Sequence, residues 1–346
     1  MDTSIALFLV QDGLTNGAIY ALLGLALVLV FAVTRVIFIP QGEFVAYGAL
    51  TLAMLDAGRV PGTATLLVGA GAAAFVVECG SHRRGWTAPR FAKAVALYLL
   101  LPAAIWAVTA VVAPLKPGIA FRIALTLSIV TPMGLYLYRL AFQPLSGASV
   151  LVLLIAAVGV HLSMMGLGLV FFGPEGQRAL PLSQGGVTLG TLSVSAQSIW
   201  VYGLTILTMA GLYLFFERTL LGKALRATAI NRLGARLVGI RVTLSGSVAF
   251  TLAASIGALS GVLIAPVTTI YYDTGFLIGL KGFIAAIIGG LVSFPITAVA
   301  ALVVGLVEAF ASFFASNFKE SILFTLLVPV LVWRSLTTGR PDDDEE

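Results

Sequence analysis

The sequence predicts an all-α fold, a polytopic bundle of transmembrane helices with about eleven candidate spans. Two observations lead there. Apolar residues make up 59% and charged residues 10% of the 346 residues, and mean hydropathy is +1.06, whereas a soluble chain carries about a quarter charged residues. In addition, apolar runs approaching the length of about 20 residues that crosses a hydrocarbon core recur along nearly the whole chain. One integral membrane domain over 1–340 follows, with the terminal PDDDEE of 341–346 as a short acidic, solvated tail.

The runs, bounded by Pro, Gly or charges, fall at 14–33, 40–56, 62–78, 94–114, 119–138, 149–172, 197–216, 244–266, 276–294, 296–315 and 320–334. No basic region precedes the first run, and Asp2 and Asp12 stand there instead, so that run is expected to be a permanent span rather than a cleaved signal. The ninth run is the weakest. Lys281 interrupts it and about 13 uninterrupted residues follow before Pro295, too few for one regular crossing helix; it reads as a broken or re-entrant helix, retained as a span because otherwise Arg334 and Arg340 would fall outside, against the positive-inside bias. Residues 173–196, rich in Gly, Ser and Pro, read as the longest loop on their side.

Starting the chain outside puts about 14 of the 20 Lys and Arg on one side: Arg35, Arg83, Arg84, Arg90, Lys93, Arg139, the six cations from Arg218 to Arg241, Arg334 and Arg340. Arg59, Lys116, Arg122, Arg178, Lys281 and Lys319 fall opposite. The positive-inside rule then predicts a multi-pass protein of a bacterial inner membrane, N-terminus out and C-terminus cytoplasmic. Membrane lipid is an expected partner and nucleic acid is not.

The chain offers little for catalysis. A lone Cys79 forms no internal disulfide, no Cys and His cluster has metal-ligand spacing, and GxxxxGK[ST], HExxH and GxSxG are all absent from the sequence. No catalytic residue, metal or bound cofactor is expected, and any energy for transport must come from elsewhere.

Ionisable groups within spans cost about 2.5–3.5 kcal/mol on insertion scales and call for a function or a partner. Glu43, two residues after Gln41, heads the second span; His161 lies in the sixth, Lys281 in the ninth and Glu308 in the tenth. With Asn16 and Tyr20, one helical turn apart, these are the candidates for a translocation path. For the two carboxylates the alternative is a structural pair hydrogen-bonded between helices. His161 reads as a neutral interhelical residue, and Lys281 as one that snorkels to the outer interface. Small-xxx-small pairs such as Gly13 with Gly17, Gly257 with Gly261 and Gly275 with Gly279 read as helix-packing notches.

The loop ERTLLGKALRATAINRLGARLVGIR, Glu217 to Arg241, alternates apolar and basic residues near the helical period. One amphipathic helix is expected, lying on anionic headgroups or docking into a groove on a soluble partner.

Several stretches resemble the permeases of branched-chain amino-acid ABC importers, of the LivH and LivM type. They are NGAIYALLGLALVLVFAVTRVIFIPQGEF, FQPLSGASVLVLLIAAVGVHL, LLGKALRATAINRLGARLVGIRV, GFLIGLKGFIAAIIGGLVSFP and GLVEAF, in family order over most of the chain. The resemblance implies alternating access driven by ATP bound at partner ATPase subunits, a second identical or homologous permease, and an extracytoplasmic solute-binding protein. It implies a coupling helix carrying Gly222, Lys223, Leu225, Arg226, Ile230, Leu233, Gly234 and Arg236, and it places Glu43 and Glu308 at acidic positions of the family's motifs. The chain departs from the family at Asn231, where an acidic residue is usual, and at about 78–117, which looks like an inserted basic loop and extra span. Branched-chain amino acids, other amino acids, urea, amides and aromatic acids all stay open as substrates. The competing reading is an ion-gradient-driven transporter or channel using Glu43, His161 or Glu308.

Overall fold

α1 (Thr3–Thr34) is the axis of the bundle, a 32-residue helix of about 48 Å that packs against α11, α12 and α13. The computed structural model describes residues 3–81, 87–189 and 192–337. The expectations placed on Asp2, Arg83, Arg84, Arg340 and the 341–346 tail lie outside these residues. After α1 come α2 (Gln41–Asp56), α3 (Gly62–Ser81), α4 (Ala88–Val95) and α5 (Leu101–Val112). A π turn at Ala96–Leu100 joins the last two into one rod, and a second, Tyr138–Phe142, prolongs α6 (Ile119–Leu137). The chain continues through α7 (Val150–Phe172), α8 (Ala196–Arg218), α9 (Leu220–Ile230), α10 (Arg232–Leu237), α11 (Val242–Ile264), α12 (Thr274–Ile288), α13 (Phe294–Phe314), α14 (Lys319–Thr325) and α15 (Leu327–Thr337).

The protein is an all-α polytopic membrane bundle. Among the described residues, eight rods are long and apolar enough to cross a membrane. The other three predicted runs form shorter or broken elements. α2 has 16 residues and α12 has 15, about 24 and 22 Å against a core of about 30 Å. α2 is preceded by a non-helical link in which Val36 and Phe38 are buried. The last run breaks between α14 and α15, where Pro329 withholds the N–H that would continue the helix. The 173–196 loop carries a small hairpin, β1 (Gly186–Leu189) against β2 (Leu192–Ser195), with Val187 opposite Val194. The β-branched residues of the two strands favour that conformation.

The centre is closed by small residues. A methyl group on Gly305 of α13 would fall 2.3 Å from the Gly13 carbonyl oxygen and 2.5 Å from the Gly17 nitrogen of α1. One on Gly42 of α2 would fall 2.0 Å from the Gly275 carbonyl oxygen of α12. Where lipid provides no hydrophobic drive, such backbone contact supplies the packing. The two short central helices, α2 and α12, are thus clamped face to face inside the bundle. Around them α3, the α4–α5 rod, α7 and α8 present apolar side chains outward, including Val76, Val111, Val170 and Ile206 at 67–76% exposure. Hydrocarbon solvates that surface; water would not.

The two ends differ in charge. Arg232 lies within electrostatic reach of Arg35, Arg236 and Tyr138. At the other end Arg122 pairs with Asp56 at 2.7 Å, whose carboxylate accepts the Leu180 N–H at 2.8 Å.

Candidate functional site

Two buried polar centres flank α12. In the first, Tyr20 donates its hydroxyl to Glu308 Oε2 at 2.5 Å, and Lys281 Nζ pairs with Glu308 Oε1. Lys281 also lies 3.5 Å from Glu320 Oε1 and 5.7 Å from the centre of the Tyr20 ring. Lys281 is therefore not a free, solvent-reaching cation: it is 7% exposed in mid-helix, because α13 brings a carboxylate to it. The centre holds one cation against two carboxylates. Asn16 and Asp12, one and two turns before Tyr20, stay half-buried on the same face of α1, and Asp12 is within Coulombic reach of Glu308. Asp12 and Glu320 are additions to the residues expected from sequence. The i, i+4, i+8 stripe from Asp12 to Tyr20 held the signal for the first. Glu320 had none, since only the fold brings α14 back onto α12.

In the second centre, Glu43 Oε1 lies 3.0 Å from His161 Nδ1 without the alignment of a hydrogen bond, and Glu43 Oε2 has no partner among the described residues. Both side chains are buried. The His161 ring stacks on Phe276 of α12 with centroids 4.7 Å apart, and Tyr47 ties α2 to α7 by donating to the Met164 carbonyl at 2.6 Å. Gln41 does not join Glu43. It points to α11, donating Nε2 to the Ala253 carbonyl at 3.0 Å. α12 thus touches both centres, through Phe276 and Lys281.

At the basic end the single amphipathic helix expected over 217–241 is two helices. Asn231 breaks it (φ −144°, ψ 104°) and accepts the Gly234 N–H at 2.8 Å as the N-cap of α10. An acidic residue caps a helix equally well, so the departure from the family at this position preserves the local structure. Thr219 caps α9 through the Gly222 N–H at 2.9 Å.

The eight expected coupling residues divide. Gly222 faces inward, where a methyl group would meet the Phe215 carbonyl oxygen at 2.1 Å. Leu225 is 1% exposed and packs with Leu29, Val33 and Ala249. These two hold α9 to the bundle and are no docking surface. Ile230 and Leu233 instead stand 78% and 68% exposed, joined by Leu237, outside that set, at 80%, and Lys223, Arg226 and Arg236 are exposed beside them. Gly234 lies half-buried in the first turn of α10.

The rod from Ala88 to Leu115 stands at the rim against α3 and α6, with Tyr136 donating to the Leu97 carbonyl at 2.7 Å. It touches neither polar centre.

A helical membrane bundle with buried charges clamped between short central helices and a capped basic loop at one end defines a polytopic transport protein. The chain belongs to the branched-chain amino acid transport system / permease component family, which matches residues 9–332. It is similar to the high-affinity branched-chain amino acid transport system permease protein BraD of Pseudomonas aeruginosa, at 32% identity over 228 residues, 63% of this chain and 74% of the relative. It is also similar to the corresponding LivH protein of Escherichia coli K12, at 29% identity over 225 residues, 62% and 72%. No solved structure matches it.

Proposed function

We propose that this chain is the membrane-spanning subunit of a binding-protein-dependent ABC importer for branched-chain amino acids or similarly small polar solutes. The observation that carries the coupling part of this reading is the exposure of Ile230, Leu233 and Leu237 on two capped helices amid cations. Apolar side chains at helical spacing outside the bilayer fit an apolar groove on a soluble protein. In this reading the groove belongs to a cytoplasmic ATPase subunit, and ATP binding there moves α9 and α10. Leu225 and Gly222 pass that movement to α1, α8 and α11. A second permease, identical or homologous, completes the path, and an extracytoplasmic solute-binding protein delivers substrate at the end bearing Asp56. The basic end is cytoplasmic, with the N-terminus outside and the C-terminus inside. The chain binds no cofactor of its own, and the helix near 88–115 is an insertion. The polar stripe from Asp12 to Tyr20 and the Lys281–Glu308 pair line the path. They offer an ammonium and carboxylates to a zwitterion.

Co-purification with the cognate ATPases tests it. Leu233→Glu with Leu237→Glu, both solvent-facing, is expected to abolish the complex while leaving insertion intact; undiminished ATPase binding would refute the docking assignment. A gradient-driven reading draws on the buried Glu43 carboxylate 3.0 Å from His161, and it requires uptake into vesicles without nucleotide.

A further inference from the structure

Between α8 and α13 a groove lies open onto α1. It consists of two apolar cavities of about 610 and 640 Å³ that meet at Met209 and Pro295, residues lining both. Along α1 it reaches from Leu14 to Arg35. At 1.5 Å per residue that is about 31 Å, more than the roughly 15 Å of one leaflet's hydrocarbon.

The part deepest in the membrane is walled by residues such as Ala18, Ala21 and Val299. The other part ends in cations, with Arg35 and Arg226 at its mouth. Arg226 shares its charge with Glu217 at 2.8 Å, whereas no ion pair to Arg35 is seen among the described residues. Arg35 neighbours Arg232, whose pKa is lowered by burial and by the Arg236 and Arg35 charges, with Tyr138 opposing; the Arg232 Nε has no partner among the described residues. A mostly apolar channel, with Tyr202, Thr205 and Tyr213 as its few polar walls, closed at one end by Arg226 and by Arg35, which has no ion pair among the described residues, has the form of a phospholipid.

We propose that the groove binds an anionic phospholipid, one acyl chain lying along α1 between α8 and α13 and the phosphate held by Arg35 and Arg226. Basic pockets between helices at the cytoplasmic surface take such headgroups. The lipid would pack the interval between α1 and α9, so the site joins the bilayer to the basic loop independently of any substrate assignment.

Native mass spectrometry of the purified chain, offered phosphatidylglycerol or phosphatidylcholine of identical acyl chains, tests this. The wild type is expected to retain phosphatidylglycerol preferentially. Arg35→Gln and Arg226→Gln should each weaken that retention about fivefold, the size expected for one cation at an anionic membrane surface, without affecting phosphatidylcholine. Val299→Trp, at a position 62% exposed and so harmless to folding, should exclude both lipids. Inorganic phosphate at millimolar concentration should fail to displace the lipid; displacement by phosphate would show an anion site without a lipid groove. Unchanged retention in the arginine variants or in Val299→Trp would overturn the proposal. So would disulfide-linked dimers formed in the membrane through Val299→Cys in a Cys79→Ala chain, since they would give the groove to a second copy.

Discussion

Lys281 of α12 and Glu308 of α13 form a buried ion pair whose carboxylate is also held by the Tyr20 hydroxyl of α1, at 2.5 Å. Three of the helices that make the centre of the bundle are fastened at this one point. A pair of this kind contributes little net stability when formed, because desolvation offsets attraction, but removing one member strands the other.

Lys281→Met is accordingly expected to destabilise the protein by about 3–5 kcal/mol, and by more than Glu308→Gln, because it leaves Glu308 and Glu320 facing each other without a cation. The double variant Lys281→Met, Glu308→Gln should regain most of the loss. Thermal unfolding in detergent measures the stabilities, and uptake into proteoliposomes with the partner subunits measures function. Recovery of stability without recovery of uptake would put the pair in the path; recovery of both would make it structural.

Glu43 is expected to behave in the opposite way. One of its oxygens has no partner among the described residues and the other lies 3.0 Å from His161, so Glu43→Gln keeps the side chain's shape and an acceptor toward His161 while removing the ionisable carboxyl. Stability should rise or stay level while uptake falls at least tenfold. A variant that transports normally would remove Glu43 from the path.

Leu225 and Leu233 look interchangeable in the sequence, two leucines eight residues apart, and the structure separates them at 1% and 68% exposure. Leu225→Ala should cost about 2–5 kcal/mol through the cavity it opens against Leu29, Val33 and Ala249. Leu233→Ala should stay within about 0.5 kcal/mol. Asn231→Ala should cost about 1 kcal/mol by loss of the α10 cap, while Asn231→Asp is neutral. Denaturation of the purified variants measures all four, and equal losses for the two leucines would contradict the placement of α9.

Much of this fold was legible because hydropathy and charge survive in sequence as runs. All eleven runs correspond to helical segments, but the ninth, expected as a broken or re-entrant helix from Lys281 and Pro295, is one unbroken 15-residue helix. What escaped depends on contacts between distant elements. Lys281 reads as an interfacial cation until Glu308, 27 residues away, is brought beside it. Gln41 and Glu43 look like a pair in sequence, yet in a helix they point about 200° apart, and the structure sends one to α11 and the other to α7. Asn231 looked like a lost acid and is a helix cap. The inward and outward faces of the basic loop could not be told apart by period alone, because a break at Asn231 resets the phase.

The central clamp supplies a comparison in which two identical changes should differ in sign. At Gly42 a methyl group would fall 2.0 Å from the Gly275 carbonyl oxygen, whereas at Gly159 of α7 nothing lies within 4 Å. Gly159→Ala exchanges a poor helix former for the best one in open surroundings and should stabilise by up to about 1 kcal/mol. Gly42→Ala gains the same propensity but must push α2 away from α12, and overpacking of this kind typically costs about 1–3 kcal/mol. The contact is backbone to backbone, so no rotamer can relieve it. The separation would also draw Glu43 away from His161 and α12 away from α2, and uptake should fall with stability. Side-by-side unfolding curves decide the matter: if Gly42→Ala proves as harmless as Gly159→Ala, α2 and α12 are not clamped at this point.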